Sequence, residues 1–145
     1  MITELTALFE QFISELPSDA ASLRVHQVPR NGGTVIELRP SNSEAADFGV
    51  HCDDSDVYSF SFGPISTLEF PYDRRYRKGE KDVLTEIEEM SRAVIDGRCD
   101  LTRNWFSLTG RIYVDSYVYK TTDLPMFPRP PFGTRRFVSY SGGHD

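Results

Sequence analysis

Histidine, cysteine and aspartate side chains stand together once in the chain, at residues 51–54, which read HCDD. A thiolate beside an imidazole forms a nucleophile and base pair, and imidazole with carboxylates can hold a metal ion. The strand-like pattern around them predicts that Cys52 faces the same way as Phe48 and Val50, while His51 faces the opposite way. We therefore interpret Cys52 as a buried structural residue, and we predict no catalytic residue and no metal ligand.

The second cysteine, Cys99, stands far from Cys52 and the two form no CxxC motif. Both thiols are therefore predicted to be reduced. The chain also lacks a glycine-rich phosphate loop, a GxSxG elbow and an HExxH sequence, so we predict that the protein is not an enzyme and needs no cofactor. A small cysteine-dependent enzyme, with His26 or His51 as the base, stays open as an alternative.

Carboxylates form two clusters that are candidates for partner binding. They are Asp53, Asp54 and Asp56 in the first cluster, and Asp82, Glu86 and Glu89 in the second. The first has turn composition and lacks the spacing, glycine and distal glutamate of a calcium loop. In the second, like charges four residues apart repel one another by a few tenths of a kcal/mol. We interpret both clusters as contacts for a basic partner, and the alternative is a solvated surface.

Three tyrosines, Tyr113, Tyr117 and Tyr119, alternate along a predicted strand over residues 111–119. Opposite them the same strand carries an aliphatic row of Ile112, Val114 and Val118. Tyrosine is favoured in interfaces because its ring buries much area while its hydroxyl still finds a partner. We predict that the three rings are exposed and bind a partner. The alternative is that the Pro-rich segment over residues 124–133 covers them.

Two amphipathic helices are the clearest elements of the sequence. The first carries apolar residues at helical spacing and is stopped by Pro17. The second lies between Gly79 and Gly97, and Gly97 suits the left-handed position that ends many helices. The apolar arc of the second helix comprises Val83, Leu84, Ile87, Met90, Val94 and Ile95. Its opposite face is predicted to carry Asp82, Glu86, Glu89 and Asp96.

Strand-like segments fill the rest of the chain. Before the second helix they cover residues 23–28, 34–39, 47–52, 57–62 and 66–70, and after it 105–108, 111–119 and 135–140. Turns are predicted at Asn31-Gly32 and at Thr109-Gly110, each between two of these strands. This order predicts an α+β fold with one domain over residues 1–145, built as a curved antiparallel sheet with two helices packed on one face.

Composition narrows the classes of partner. The chain has 145 residues, 39% of them hydrophobic, which suits one core, and it carries a net charge of −6. Because phosphate binding depends on lysine and arginine, nucleic acid is not the predicted partner. The first residues lack the basic region of a secretory signal and an apolar run of membrane-spanning length, which predicts a cytoplasmic protein without a membrane partner.

Three sequence features carry a family resemblance. They are YSFSFG at residues 58–63, Glu69 ahead of Pro71, and AVIDG at residues 93–97, at the end of the second helix. Together with the small, acidic α+β profile, they resemble the bacterial immunity proteins, which neutralise a cognate toxin by plugging its active site. The resemblance implies stoichiometric binding of a basic toxin domain without turnover. A type III-like secretion chaperone, also small, acidic and cytoplasmic, is the alternative among binding proteins.

Overall fold

The chain folds in the order helix, strands, helix, strands. The computed structural model describes residues 2–27, 33–52, 58–63, 68–70, 80–115, 117–123 and 132–141. The elements of this part are α1 (Ile2–Glu15), β1 (Ala21–Gln27), β2 (Thr34–Pro40), β3 (Phe48–Cys52), β4 (Tyr58–Phe62), β5 (Leu68–Phe70), α2 (Glu80–Ile95), β6 (Cys99–Arg103), β7 (Leu108–Val114), β8 (Tyr117–Asp123) and β9 (Gly133–Arg136). The predicted α+β fold with two helices is therefore confirmed. Neither described helix has the length and apolar character needed to cross a membrane.

The strands form two antiparallel sheets where the sequence predicted one. Sheet A has the order β1-β2-β3-β4-β5, and sheet B has the order β8-β7-β6-β9. Sheet A is a meander, since each strand pairs with the next one in the chain. Helix α2 then separates β5 from β6, and β6 finds its partners in β7 and β9, which both come later. The single-sheet prediction was wrong because long-range pairing leaves no local signal in the sequence.

Helix α1 packs on sheet A through the residues that its spacing predicts. Leu5, Phe9 and Phe12 are fully buried. The Phe9 ring lies 5.7 Å from the Phe12 ring and 5.5 Å from that of Phe48 on β3, at tilted angles that aromatic pairs favour. The helix ends two residues before Pro17, as predicted.

Helix α2 packs on sheet B through the predicted arc. Val83, Ile87, Met90 and Val94 are buried in the core, with Leu84 and Ile95 at its margin. The helix ends in a Schellman motif: the backbone N–H of Gly97 donates to Val94 O (3.0 Å) and that of Arg98 donates to Ala93 O (2.8 Å). Gly97 has a φ of 78°, so the prediction for this glycine is confirmed.

The segment after β9 joins the two sheets. The Phe137 ring meets Phe62 of sheet A at 6.4 Å, and the Tyr140 ring meets Phe48 at 6.3 Å. The Tyr140 hydroxyl donates to Ala46 O (2.5 Å), and its backbone N–H donates to the last residue of α2, Ile95 (2.8 Å). One hydrophobic core therefore includes residues from both sheets and both helices.

The last hairpin turns at a different place from the predicted one. Thr109 and Gly110 lie inside β7, where they pair with residues of both β6 and β8. The turn falls after Val114, which pairs with Tyr117 across a two-residue connection. Strand β6, which the sequence did not predict, supplies the other neighbour of β7. The Thr109-Gly110 prediction was wrong because a turn-like pair of residues can also occupy the middle of a strand.

The strands of sheet A lie close to their predicted segments. The first five strands begin and end within two residues of the predicted limits, and β1 and β2 form the expected antiparallel pair. The last strand is shorter than predicted and ends at Arg136. Asn31-Gly32 and residues 124–131 of the Pro-rich segment lie outside the described residues.

Candidate functional site

The environment of Cys99 does not activate its thiol. This residue begins β6 and is 3% exposed. Burial, and secondarily the charge of Asp100, raise the pKa of the Cys99 thiol to about 12. A nucleophilic cysteine needs the opposite shift, because only the thiolate attacks. Cys99 is therefore a protonated core residue at neutral pH.

Cys52 occupies the place that strand alternation predicts. It packs against the core on the same face of β3 as Phe48 and Val50. His51 lies on the outer face, opposite Val35 of β2 and Ser59 of β4. Both cysteines are free thiols, as expected. Nowhere in the described part of the chain do three histidine, cysteine, aspartate or glutamate residues come together as a metal site would require.

The carboxylates predicted on the face of α2 opposite its apolar arc are divided between the interior and the surface of the protein. Glu86, predicted to face solvent, is only 9% exposed and accepts a hydrogen bond from the Tyr119 hydroxyl (3.3 Å). It is drawn inside because its neighbours one helical turn away, Val83 and Met90, are core residues, and because buried Tyr119 of β8 lies against its carboxylate. Glu89 is exposed, as predicted. The side chain of Asp82 lies outside the described structure.

The first acidic cluster cannot be placed in the fold. Asp53, Asp54 and Asp56 all lie outside the described residues, between β3 and β4. Their proposed role as a second contact with the partner therefore stays a prediction.

The three tyrosines do not share one face. The turn after Val114 shifts the alternation by one residue, so that Tyr117 and Tyr119 lie opposite Val114 and Ile112, on the side of sheet B that faces α2. Tyr119 is buried rather than exposed. Tyr113 lies on the other side of the sheet, where its hydroxyl donates to Asp100 (2.5 Å). The predicted common face was therefore wrong, since it assumed one continuous strand.

The same shift brings two predicted patches together. Tyr119 of β8 meets Glu86 of α2, and both Tyr117 and Tyr119 line the same surface feature as Glu89. An open groove of about 380 Å³ separates the helix from the hairpin. Its lining consists of Glu89, Arg92, Arg98, Val114, Asp115, Tyr117 and Tyr119. We refer to this feature as the helix–hairpin groove.

The two arginines of the helix–hairpin groove are bound by carboxylates of the protein itself. Arg92 contacts Glu15 of α1 (2.8 Å) and Glu88 (3.1 Å), and these contacts raise the pKa of Arg92 and lower that of Glu15.

Arg98 has longer contacts, to Asp96 (3.4 Å) and Asp115 (3.7 Å). Together with Glu89, the groove and its ion-pair partners in the described structure hold five carboxylates against two guanidinium groups. The groove is therefore net acidic.

One wall of the groove is aromatic. The Tyr117 and Tyr119 rings meet edge to face with 4.8 Å between their centroids. Tyr117 is half exposed, while Tyr119 closes the inner side. Burial, followed by the charges of Glu86 and Glu89, raises the pKa of Tyr119, so its hydroxyl stays protonated and keeps donating to Glu86. The arrangement offers a ring surface beside negative charge, and its described lining contains no cysteine, serine or threonine.

Several residues of interest had no clear signal in the sequence. Arg92, Arg98 and Asp115 line the groove, but only the fold brings them together. The connection between β6 and β7 exposes Trp105 (66%) and Phe106 (79%), although the sequence placed both within a strand. The sequence did offer one signal for this exposed connection, the adjacent aromatic pair that follows Asn104. Exposed aromatic residues of this size often mark contact sites.

Comparisons with protein-family models, with curated proteins and with solved structures find no match to this chain.

Proposed function

We propose that this protein is a non-catalytic immunity protein, which binds a basic toxin domain and blocks it stoichiometrically. The observation that carries the proposal is the helix–hairpin groove, where the exposed Glu89 and the half-exposed Tyr117 meet on one surface. A rigid aromatic ring beside carboxylates is the composition of an interface hot spot for a cationic partner.

The charge of the molecule supports a basic partner. Complementary charge across an interface accelerates encounter and suppresses wrong partners more than it adds affinity. With a net charge of −6 and an acidic groove, the protein would attract basic surfaces from a distance.

The chemistry of the thiols supports binding rather than turnover. Cys99 keeps its proton far above neutral pH, and Cys52 packs against the core. A cysteine-dependent enzyme would need one of them as an accessible thiolate.

Capture followed by neutralisation tests the proposal. Tagged wild-type protein is used to capture partners from a lysate of the source organism, and each captured protein is then expressed in a bacterial host. We expect one captured protein to arrest growth and co-expression of the wild-type chain to restore it. The proposal would be contradicted if none of the captured proteins arrested growth, or if the wild-type chain neutralised none of those that did.

Two variants of β8 connect the test to the groove. Tyr117→Ala removes the exposed ring of the groove and is expected to weaken binding by about 1 to 3 kcal/mol, the usual range for an interface hot spot. Val118→Ala is the matched control, because its side chain is also exposed but lies on the opposite face of the hairpin. Isothermal titration calorimetry with the purified partner measures both. Equal affinity of the two variants would exclude the groove as the interface.

A further inference from the structure

The outer face of sheet B, on the side away from α2, is basic although the protein as a whole is acidic. Residues paired across a sheet point to the same side and residues along a strand alternate, so the register identifies this face. One of its rows crosses all four strands and consists of Lys120, Arg111, Asp100 and Arg136. Lys120 and Arg136 are exposed, while Asp100, the only carboxylate at the outer positions of these described strands, is buried. The outer face of sheet B therefore presents positive charge to solvent.

The two arginines of this row stand at separate places on the sheet. Neighbouring strands lie about 4.8 Å apart, so the Cα atoms of Arg111 on β7 and Arg136 on β9 are about 10 Å apart, with β6 between them. Arg111 is held by its neighbours, since its Nη1 donates to Thr102 Oγ1 (3.1 Å) and lies 3.7 Å from Asp100 Oδ1. Arg136 makes no ion pair with the described residues, so it is available to an anion.

A row of hydroxyl groups lies beside the charged row on the same face. It consists of Thr122, Thr109, Thr102 and Thr134, one from each strand of the sheet. Their hydroxyls meet in two pairs, Thr109 with Thr122 (3.1 Å) and Thr102 with Thr134 (3.0 Å). Hydroxyl and guanidinium groups are common donors to phosphate and sugar oxygens in nucleic-acid complexes.

Aromatic rings flank these two polar rows at the opposite ends of β7. Tyr113 is the next outer residue of β7 after Arg111, and its partly exposed ring is held on the face by the hydrogen bond from its hydroxyl to Asp100. At the other end, the connection between β6 and β7 carries the exposed rings of Trp105 and Phe106. Exposed rings of this kind stack bases of any sequence, because every base has a π face.

We propose that the outer face of sheet B binds single-stranded nucleic acid, with phosphates at its cations and bases on its rings. Open faces of four-stranded sheets bind single strands in this manner. An acidic peptide would supply anions for the arginines but no bases for the rings, and a duplex keeps its bases stacked inside. A single strand matches the cations, the hydroxyl groups and the rings together.

This site does not depend on the proposed immunity function, because it lies on the side of sheet B opposite the helix–hairpin groove. The net charge of −6 predicts against a nucleic-acid partner, but net charge is a sum over the whole chain. A ligand that binds at short range meets one surface, and the charge of that surface is screened from distant carboxylates by salt.

Fluorescence anisotropy of the wild-type chain with labelled probes tests the proposal. The probes are oligouridylate and oligodeoxyuridylate of about ten nucleotides, a duplex of the same length and an oligoglutamate peptide. We expect a single strand to bind saturably, with a log–log salt slope of about −0.7 for each phosphate contact, or about −2 for three cations. The two single strands differ in the 2′-hydroxyl group, so the tighter one identifies the ligand as RNA or DNA.

Variants assign the binding to the outer face of sheet B. Arg136→Gln should weaken the single strand about three- to five-fold and reduce the salt slope by about 0.7. Arg24→Gln is the matched control, because it removes the same charge from an exposed position on β1 of sheet A. Phe106→Ala should weaken binding at least about five-fold, while Phe106→Trp should retain it, because the ring makes the contact.

Three results would overturn the proposal. The first is the absence of saturable binding of either single strand. The second is binding of the duplex or of the oligoglutamate peptide that is as tight as binding of the single strands. The third is single-strand affinity that Arg136→Gln changes no more than Arg24→Gln does, or that Phe106→Ala leaves at the wild-type value.

Discussion

Two glutamates of the same helix face have different environments. Glu86 and Glu89 are one turn apart on α2, yet Glu86 is buried against Tyr119 and Glu89 is exposed. Helical periodicity predicted the helix and its core residues, but it could not predict that β8 would cover Glu86. A charge reversal of both residues would therefore test two properties at once, folding at Glu86 and binding at Glu89.

Cys99 makes the stability of the fold sensitive to alkaline pH. Its pKa rises from 9.0 in the unfolded chain to about 12 in the fold, so the unfolded chain loses the thiol proton first as pH rises. The contribution of the neutral thiol is complete below pH 9.0 and is lost between there and about pH 12. We expect its share of the unfolding free energy to fall by about 1.4 kcal/mol per pH unit in that window.

Urea unfolding at several pH values measures this effect, with Cys99→Ala as the comparison. The variant should be less stable than the wild type at neutral pH, because it lacks a buried side chain, and should lose stability less steeply above pH 9.0. Buried Tyr119 and Tyr140, whose pKa values are also raised by burial, give both proteins a slope at alkaline pH. The variant additionally loses the small part of the Tyr140 shift that comes from the charge of Cys99. If the unfolding free energies of the two proteins fell in parallel above pH 9.0, the alkaline effect could not be assigned to Cys99.

At the scale of elements, local signals predicted what local contacts determine. The spacing of apolar residues predicted both helices. The five strands of sheet A pair in chain order, so each strand lies beside the one that precedes or follows it in the sequence. Sheet B was less predictable because β6 pairs with β9, a strand that is distant from it in the sequence. The position of the last turn decides which residues face α2. Its misplacement is why Tyr113 was grouped with Tyr117 and why the helix–hairpin groove was not predicted.

The end of α2 tolerates glycine alone. Gly97 has a φ of 78°, and an added Cβ would lie 2.7 Å from the backbone of Val138 and Ser139. Gly97→Ala therefore combines a left-handed conformation, costing about 1 to 2 kcal/mol, with a backbone clash. We expect a loss of more than about 2 kcal/mol in urea unfolding.

The variant Gly63→Ala separates the cost of the left-handed conformation from the cost of the backbone clash. Gly63 also has a positive φ of 57°, but among the described residues its added Cβ would meet only the tip of the Phe137 ring at 3.5 Å, an ordinary contact distance. This variant should show the conformational cost alone, about 1 to 2 kcal/mol. If both variants lost the same stability, the contact between α2 and the 137–141 segment would be looser than described.

For the whole molecule, charge is expected to control how fast the partner is found. Long-range attraction by a net charge of −6 is screened at a Debye length of about 8 Å in physiological salt. If the partner is basic, as proposed, Glu89→Lys should slow association with the purified partner several-fold at low salt, and the wild-type and variant rates should converge as salt rises.

Stopped-flow fluorescence across a salt series measures these association rates. Glu10→Lys on α1 serves as control because it changes the net charge equally at another exposed position. If the two reversals had the same effect, net charge and not the groove would set the rate. Glu86 is left unchanged, since its burial would add a folding defect.

The contacts of Phe137 and Tyr140 also bear on when the protein can fold during its synthesis. These residues insert into a core that is otherwise built from much earlier parts of the chain, including Phe48 and Phe62. The two sheets cannot complete their packing until residue 140 has left the ribosomal exit tunnel. A nascent chain therefore exposes apolar surface until that point, and such surface is prone to aggregation. If the proposed immunity function holds, protection of a cell would then depend on fully folded molecules that are already present when the toxin appears.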